Sequence, residues 1–268
     1  MKKSIFITGA SSGLGKATAK LFHSKGWYVI ATMRNPEQEK ELIGLENVSL
    51  LPLDVTNVEQ IDKIVAQAIS SHSIDVVFNN AGYGLMGAME ALTQKQIEQQ
   101  INTNLMGVLW VTKAFIPYFR QKKGGLFIST TSMGGLLAFP LHSIYHAAKF
   151  AIEGWSESLS FELGLHNIGI KTISPGAFTS DFTGRSLEKT IHPDYKVLED
   201  TLFSNVETMM AKASSAEQIA TIVYEAATDG KDQLRYVAGP DANAIYNRRL
   251  EIGPEAFRKE IREQFTSR

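Results

Sequence analysis

Tyr145 and Lys149 lie four residues apart in a segment whose pattern predicts a helix. Side chains at this spacing lie one above the other on the same helix face. An ammonium group beside a phenol favours the phenolate, so the pair predicts a pKa for Tyr145 below its ordinary value of about 10. Such a phenol can exchange a proton with a substrate oxygen. The alternative is a chance pair on a surface helix, and the rest of the chain has to decide between the two.

The N-terminal segment contains a second pattern. Residues 4–8 form a short β-branched and aromatic run, which predicts a buried strand, and a turn with Gly9, Gly13 and Gly15 leads into a helical pattern. Glycines let the backbone approach a pyrophosphate, which the free N–H groups and the dipole of a helix N-terminus attract. The spacing is G-x-x-x-G-x-G rather than G-x-G-x-x-G. A plain tight turn is the alternative, which the position directly after the first strand disfavours.

Six motifs between about residues 3 and 182 resemble, in order, those of the short-chain dehydrogenase/reductase family. The resemblance implies an α/β fold, a Rossmann-type doubly wound parallel sheet of about seven strands, with helices on both faces and a nicotinamide cofactor at the carboxyl ends of the strands. Residues 79–182 are similar to bacterial members. The motifs are Thr8 with Gly9–Gly15, Asp54-Val55, Asn79-Asn80-Ala81-Gly82, Asn104, Ser132 placed thirteen residues before Tyr145, and Pro175-Gly176.

The resemblance implies a role for each motif. Tyr145 would be the general acid/base, Ser132 would polarise the substrate oxygen, and Lys149 would lower the pKa of Tyr145 and hold the nicotinamide ribose. Asn104 would hold a water that passes protons through Lys149. Hydride would pass between C4 of the nicotinamide and the carbonyl carbon. The expected cofactor-binding residues are Gly9, Ser11, Ser12, Gly13, Leu14, Gly15, Arg34, Asp54, Val55, Asn80, Ala81, Gly82, Tyr145, Lys149, Pro175, Gly176 and Ser180.

The end of the second predicted strand indicates which cofactor is used. In NAD-binding folds an acidic residue there binds the ribose 2′-hydroxyl, whereas a nearby arginine accommodates the 2′-phosphate of NADP. This chain has Met33 at the acidic position and Arg34 next to it. We therefore expect NADP(H). A solvated surface role for Arg34 is the alternative.

Composition limits the remaining function classes. The 268 residues carry a net charge of −1, which gives no reason to expect nucleic acid or an anionic membrane as a partner. The absence of cysteine excludes disulfides, thiol catalysis and cysteine-based zinc sites, and it fits a cytoplasmic protein. No metal site is predicted. Residues 124–148 lack charged side chains over a membrane-spanning length, but their glycines, hydroxyls and Pro140 favour a buried strand followed by an active-site loop.

Alternating apolar strands and helices predict a single domain with a parallel sheet that helices cover on both faces. Residues 183–212 break this alternation, and we interpret them as an amphipathic lid over the substrate, with a surface helix pair as the alternative. Residues 240–268 are predicted to form a helical tail. The expected strands lie near 4–8, 27–32, 48–53, 74–78, 124–130, 169–174 and 234–238, and the expected helices near 13–25, 36–44, 57–71, 93–120, 143–166 and 214–228.

The tail also bears on assembly. Phe257, Ile261 and Phe265 lie at a spacing of four and form a narrow apolar stripe. Packing of this stripe on its own subunit would block the contact through which related tetramers form. The helices near 93–120 and 143–166 would remain free to pair, so we expect a homodimer. A tail that crosses to a partner subunit is the alternative.

Apolar residues on loops near the expected pocket favour an apolar ketone or secondary alcohol as the small-molecule substrate. His142 lies in the loop that faces the substrate and could contact it, with a structural or solvent role as the alternative. His146 is expected to be a helix-surface neighbour rather than a second base. A protein that binds NADPH without turnover is a further alternative, which the complete set of four catalytic residues disfavours. Some of the apolar residues near the expected pocket must instead belong to the core; the candidates are Tyr83, Leu85, Met86, Met133, Leu136, Leu137, Phe139, Leu141 and Phe178.

Overall fold

Strands and helices alternate through most of the chain in the computed structural model, which describes residues 2–179, 187–210 and 213–266. The strands are β1 (Ser4–Ile7), β2 (Tyr28–Met33), β3 (Val48–Pro52), β4 (Val76–Asn79), β5 (Gly84–Met86), β6 (Gly125–Thr130), β7 (Ile168–Pro175), β8 (Phe178–Thr179), β9 (Leu187–Lys189), β10 (Ser214–Ser215) and β11 (Arg235–Ala238). The helices are α1 (Gly13–Ser24), α2 (Val58–Ser71), α3 (Gln94–Ile101), α4 (Gly107–Lys122), α5 (Ser143–Gly164), α6 (Lys196–Met210), α7 (Ala216–Thr228), α8 (Pro240–Ile252) and α9 (Pro254–Thr266).

Seven strands form one parallel sheet in the order β11-β7-β6-β4-β1-β2-β3. Successive side chains of a strand point to opposite faces, which divides the core into two layers. Ile5 and Ile7 of β1 face the layer that contains α1 and α7, whereas Phe6 faces the layer of α2, α4 and α5. Helices thus cover both faces, which confirms the predicted doubly wound α/β fold. Because the order of the strands reverses between β1 and β4, the carboxyl ends of these two strands flank a crevice.

The helix predicted at 36–44 is wrong, since only a single 3₁₀ turn forms there, at Pro36–Gln38. Glu39 explains the difference. Its carboxylate accepts hydrogen bonds from the backbone N–H groups of Glu41 (2.8 Å) and Leu42 (3.1 Å). Side chains that capture backbone donors in this way compete with helix formation.

The helix predicted at 93–120 is divided by a π-helical turn at Asn102–Met106, between α3 and α4. Such turns are frequent at functional sites, and this one contains Asn104. Two short parallel ladders, β5 with β9 and β8 with β10, are absent from the predicted elements. Segments of two or three residues carry no detectable periodicity, so the sequence offers no signal for them.

The uncharged segment 124–148 forms β6, a loop and the beginning of α5, as predicted. The loop contains a 3₁₀ turn at Met133–Gly135 and a left-handed residue, Leu141, with φ of 63°. Across the described ranges, no helix combines the length and the apolar character needed to cross a membrane.

The C-terminal tail consists of α8 and α9. Its apolar stripe packs on its own subunit, as predicted: Phe257 and Phe265 are each 3% exposed, and Phe265 belongs to a cluster with Leu202 of α6 and Leu141. Helix α6 lies within the segment 183–212 that was interpreted as a lid. Residues 183–186 and 211–212 of that segment are outside the described residues.

Candidate functional site

A cavity of about 860 Å³ lies at the carboxyl edge of the sheet, and most of the predicted site residues line it. Gly15 and Asn104 are the exceptions among the described residues, because both lie behind its wall. Ser180 is outside the described residues. The predicted residues that line the cavity are Gly9, Ser11, Ser12, Gly13, Leu14, Arg34, Asp54, Val55, Asn80, Ala81, Gly82, Ser132, Tyr145, Lys149, Pro175 and Gly176.

The glycine loop crosses the end of β4 at close range. Gly9 has φ of +69°, which side chains disfavour, and a Cβ there would lie 2.7 Å from Cα of Ala81. A Cβ on Gly15 would lie only 2.2 Å from the carbonyl oxygen of Gly9. Glycine at these two positions therefore lets the loop fold tightly onto the beginning of α1. A loop of this kind can hold the pyrophosphate of a dinucleotide against backbone N–H groups.

Thr8 joins the ends of β1 and β4, a role that the motif analysis did not assign. Its Oγ1 accepts hydrogen bonds from the N–H groups of Asn80 (2.9 Å) and Ala81 (3.0 Å). The Asn80 amide nitrogen donates in return to the carbonyl oxygens of Thr8 (3.2 Å) and Gly9 (3.1 Å). These four bonds hold the glycine loop in register with the segment after β4. The sequence feature that indicates this role is a hydroxyl residue, Thr8, directly before the first glycine of the loop.

The beginning of α1 and the end of β2 present positive groups to the cavity. Helix α1 has no acidic residue in its first turn, and the Ser12 hydroxyl makes no capping hydrogen bond there. The N–H groups of that turn can therefore donate to an anion. Arg34 is exposed, lines the cavity and has no ion pair with the part of the chain that the structure describes. Loop, helix end and arginine together fit a phosphorylated dinucleotide.

Tyr145 and Lys149 lie on the face of α5 that borders the cavity. Lys149 Nζ donates to the carbonyl oxygen of Thr130 at 2.9 Å and lies 5.8 Å from the centre of the Tyr145 ring. Burial raises the pKa of Tyr145 to about 12, although hydrogen bonding with Ser132 acts in the opposite direction. The predicted pKa of Tyr145 below its ordinary value is therefore wrong for this structure, because desolvation of the phenolate dominates. The predicted effect of Lys149 on this pKa stays a prediction.

Lys149 is itself deeply buried, and Glu153 lies one helical turn after it on α5. Burial lowers the pKa of Lys149 to about 8, although the carboxylate of Glu153 acts in the opposite direction. Glu153 also accepts hydrogen bonds from the hydroxyls of Thr131 (2.6 Å) and Ser174 (2.9 Å) and pairs with Arg235 (3.0 Å). Glu153 is not among the predicted site residues, although an acidic side chain on the apolar face of a predicted helix can indicate such a role.

Ser132 begins the 3₁₀ turn that follows β6. Its Oγ accepts a hydrogen bond from the Gly134 N–H at 3.0 Å, and its carbonyl oxygen accepts one from the Gly135 N–H at 2.8 Å. A serine hydroxyl has one donor in addition to its acceptor lone pairs, so Ser132 can still donate its proton, and its hydrogen bond with Tyr145 opposes the rise in the tyrosine pKa. Ser132 and Tyr145 meet at the cavity, although thirteen residues separate them in the chain.

Asn104 anchors the wall of the cavity from behind. Its side chain is fully buried, its Oδ1 accepts from the Tyr83 N–H at 3.0 Å, and its Nδ2 donates to the Tyr83 carbonyl at 2.7 Å. The π-helical turn places this amide beside the segment after β4. The contact with Tyr83 is not apparent from the sequence, and the predicted water relay at Asn104 stays a prediction.

The substrate side of the cavity is only partly as predicted. Tyr83, Met133, Phe139 and Phe178 line it, whereas the other five predicted pocket residues are buried outside the lining. His142 lines the cavity, as the sequence allowed, and its Nδ1 lies 2.8 Å from the Pro140 carbonyl oxygen. The short ladder of β5 with β9 brings in residues that no motif indicated. The unpredicted lining residues are Met33, Leu53, Thr56, Gly84, Gln99, Thr103, Thr130, Thr131, Gly134, His146, Ala177, Leu187 and Glu188.

His146 is not the helix-surface neighbour that its position after Tyr145 predicts. The residue is 7% exposed. Its Nδ1 lies 2.7 Å from the Gly134 carbonyl oxygen, and its Nε2 accepts a hydrogen bond from the Phe139 N–H at 3.0 Å. The loop between β6 and α5 folds over this ring, which helical periodicity alone cannot indicate. Burial lowers the pKa of His146 to about 4, so the ring is neutral at pH 7.

Comparisons with known proteins agree with this geometry. A family profile described as short chain dehydrogenase matches residues 3–190. Over 180 residues the chain is 40% identical to the 3-ketodihydrosphingosine reductase of Bacteroides thetaiotaomicron, which covers 67% of this chain and 65% of that protein. A short-chain dehydrogenase from Streptomyces avermitilis superposes with a TM-score of 0.85 at 29% identity, over 98% of this chain and 95% of that one. ElxO with NADP bound superposes with a TM-score of 0.75 at 26% identity, over 88% of this chain and 98% of that one.

Proposed function

Because the chain belongs to the short-chain dehydrogenase/reductase family of oxidoreductases, we propose that it is a cytoplasmic, NADP(H)-dependent enzyme that interconverts a carbonyl group and an alcohol on a largely apolar small molecule. One observation carries the proposal. Ser132, Tyr145 and Lys149 line the same cavity as the glycine loop and the beginning of α1. Proton-transfer groups and a dinucleotide cradle thus share one space, as a hydride transfer coupled to a proton transfer requires.

Each side chain has a separate task in the proposed reaction. The cofactor, when bound, supplies or accepts the hydride through its nicotinamide ring. Tyr145 holds its proton at neutral pH and donates it to the carbonyl oxygen in reduction. The Ser132 hydroxyl donates a hydrogen bond to the same oxygen, where negative charge develops. For alcohol oxidation Tyr145 must first lose its proton, and the positive charge of Lys149 favours that loss.

Arg34 supports NADP(H) as the cofactor, because it lies free at the end of β2 where an acidic residue would otherwise contact the ribose. We expect kcat/KM to favour NADPH over NADH by about tenfold or more, which corresponds to about 1.4 kcal/mol. Arg34→Ala should lose most of this preference by raising the KM for NADPH. Lys40→Ala, which removes an exposed charge that does not line the cavity, is the control. Equal use of both cofactors by the unaltered protein would contradict the assignment.

The substrate-side lining supports an apolar carbonyl compound. Met133, Phe139, Phe178 and Leu187 contribute apolar surface there, and burial of apolar surface is what gives such ligands affinity. The relative from Bacteroides thetaiotaomicron is named as a reductase of 3-ketodihydrosphingosine. Ketones with an alkyl substituent are therefore the first compounds to test.

A panel of ketones and aldehydes with increasing alkyl length, assayed by NADPH oxidation, tests the proposed function. We expect turnover that improves with alkyl length, mainly through KM. Binding of NADPH should be titrated in parallel by fluorescence. Tight NADPH binding without turnover on any compound of the panel would contradict the proposal and favour a protein that binds the dinucleotide without using it.

We propose a homodimer formed through α4 and α5, because Phe161 of α5 (75% exposed) and Leu165, which directly follows that helix (83% exposed), lie four residues apart. Light scattering after size exclusion should give about twice the 29.6 kDa of one chain. Phe161→Glu places a charge on this face and should yield monomers. The control is Ile43→Glu, an equally drastic change at an apolar residue that is 59% exposed in another part of the molecule. A mass near four subunits, or dimers that survive Phe161→Glu, would contradict the proposal.

A further inference from the structure

His146 connects two ends of the loop that carries the substrate-facing groups. We infer that it is a positioning residue, which orients the Ser132 hydroxyl through Gly134 and holds the backbone of Phe139 at the cavity wall. The inference rests on the proposed function, since Ser132 matters only if it polarises a substrate oxygen. Gly134 and Phe139 both precede His146 in the chain, and the ring of His146 contacts them only because the loop folds back onto α5.

The backbone determines which nitrogen of His146 carries the proton. A carbonyl oxygen can only accept a hydrogen bond, so Nδ1, at 2.7 Å from the Gly134 oxygen, must be the donor. A backbone N–H can only donate, so Nε2, at 3.0 Å from the Phe139 nitrogen, must be the acceptor. Both bonds are satisfied only by the neutral ring that is protonated on Nδ1. The imidazolium form would lose the bond to Phe139.

The bond to Gly134 bears directly on the proposed chemistry. Gly134 presents its carbonyl oxygen to His146 and its N–H to Ser132 Oγ at 3.0 Å. A Cβ on Gly134 would lie 2.8 Å from Nδ1 of His146 and 3.2 Å from Cε1 of Tyr145, so this residue is packed between the two rings. The Gly134 N–H occupies one acceptor lone pair of Ser132 Oγ. The rotation of the hydroxyl is therefore restricted, and its proton points away from Gly134. His146 therefore acts on Ser132 through one intervening residue.

The bond to Phe139 bears on the substrate side. Phe139 lines the cavity, and Leu141, two residues later, is in the left-handed conformation with φ of 63°. The Leu141 carbonyl oxygen accepts from the Gly87 N–H at 2.8 Å, which fixes the far end of the same segment. The loop is thus held by His146 at Gly134 and Phe139 and by Gly87 at Leu141. Loss of the His146 bonds should loosen the two points nearest to Ser132 and to the apolar wall.

The surroundings of His146 keep its ring in the required form. The titratable side chains packed around it are His142, with ring centres 5.8 Å apart, and Tyr145, with ring centres 6.0 Å apart. Neither carries a negative charge at neutral pH, because burial raises the pKa of Tyr145. A charged His142 would repel a charged His146. Neither of these two neighbours is a carboxylate that could stabilise a positive charge on the His146 ring. Geometry and electrostatics therefore favour the same neutral ring.

A double-mutant cycle tests the connection to Ser132. We expect His146→Leu, which removes both hydrogen bonds, to lower kcat roughly tenfold or more, while His146→Gln, which keeps one donor and one acceptor, stays within roughly threefold of the unaltered enzyme. In a Ser132→Ala background His146→Leu should lower kcat far less, because a residue that acts through Ser132 cannot act when the hydroxyl is gone. The NADPH dissociation constant, measured by fluorescence, should change little, since the hydrogen bonds of His146 go to Gly134 and Phe139 rather than to the dinucleotide loop. Two results would overturn the inference: an equal loss of kcat from His146→Leu with and without Ser132→Ala, or an equal kcat for His146→Leu and His146→Gln.

A second measurement does not depend on turnover. Nitrogen-15 NMR of the imidazoles should show His146 protonated on Nδ1 and unprotonated on Nε2, with no titration across the neutral range. The opposite tautomer, or a ring that titrates near its ordinary pKa of about 6.5, would overturn the inference even if the double-mutant cycle could not be completed. Failure of the proposed function would instead appear in the unaltered protein, as NADPH binding without turnover on any carbonyl compound, while the tautomer could still be determined.

Discussion

Replacement of Tyr145 by phenylalanine should lower kcat by about a hundredfold or more, since general acid–base catalysis contributes on the order of 10² to 10⁴. The variant removes the hydroxyl and keeps the ring, so the packing of the ring and the affinity for NADPH should persist. Lys149→Ala should differ, because Lys149 is deeply buried and bonded to Thr130, and it should weaken both NADPH binding and kcat. Single-turnover measurements with saturating NADPH would separate the two effects.

The pH dependence provides a further check on Tyr145. Because burial raises its pKa to about 12, Tyr145 should remain a competent acid for reduction throughout the neutral range. If the reduction rate falls as pH rises through about 8, the cause should be deprotonation of Lys149 rather than of Tyr145, because burial lowers the pKa of Lys149 to about 8. The control for Tyr145→Phe is Tyr224→Phe, which removes a hydroxyl from α7 outside the cavity. Retention of more than about a tenth of the activity by Tyr145→Phe would require a different acid.

Gly15→Ala should abolish dinucleotide binding at concentrations that saturate the unaltered protein. A methyl group on Gly15 would lie 2.2 Å from the Gly9 carbonyl oxygen and 2.6 Å from the Asn80 amide nitrogen, so the loop and the beginning of α1 must separate. The bonds of Asn80 to Thr8 and Gly9 would then be lost together with the anion site. We expect the NADPH dissociation constant to rise by about a hundredfold or more, which corresponds to about 2.7 kcal/mol. Isothermal titration calorimetry measures this change.

A matched glycine separates the effect of the loop from the general effect of a methyl group. Gly164 lies in the last turn of α5, and a Cβ there would have no neighbour within 4 Å. Gly164→Ala should therefore leave NADPH binding and the melting temperature almost unchanged. If Gly15→Ala also bound NADPH normally, the close packing of the loop on α1 would not be what creates the binding site.

Much of the fold follows from local patterns. The run at residues 4–8 predicts β1 because a continuous β-branched and aromatic run is a local property, and Ile5, Phe6 and Ile7 do divide between the two core layers. The glycine loop is predictable for the same reason, since strand, turn and helix N-terminus follow one another directly in the chain. The stripe of Phe257 and Phe265 likewise predicts a buried helix face, and both side chains are buried.

Tertiary structure alone decided the chemistry of several site residues. The spacing of Tyr145 and Lys149 correctly predicts their proximity but not the pKa of Tyr145, because desolvation depends on what covers the phenol. His146 looks like a surface residue in the helical pattern until the Phe139 backbone folds onto it. Glu188 reaches the cavity only through the pairing of β9 with β5. Periodicity reports which face of an element is apolar, whereas burial and long-range hydrogen bonds depend on which distant segments the complete fold brings together.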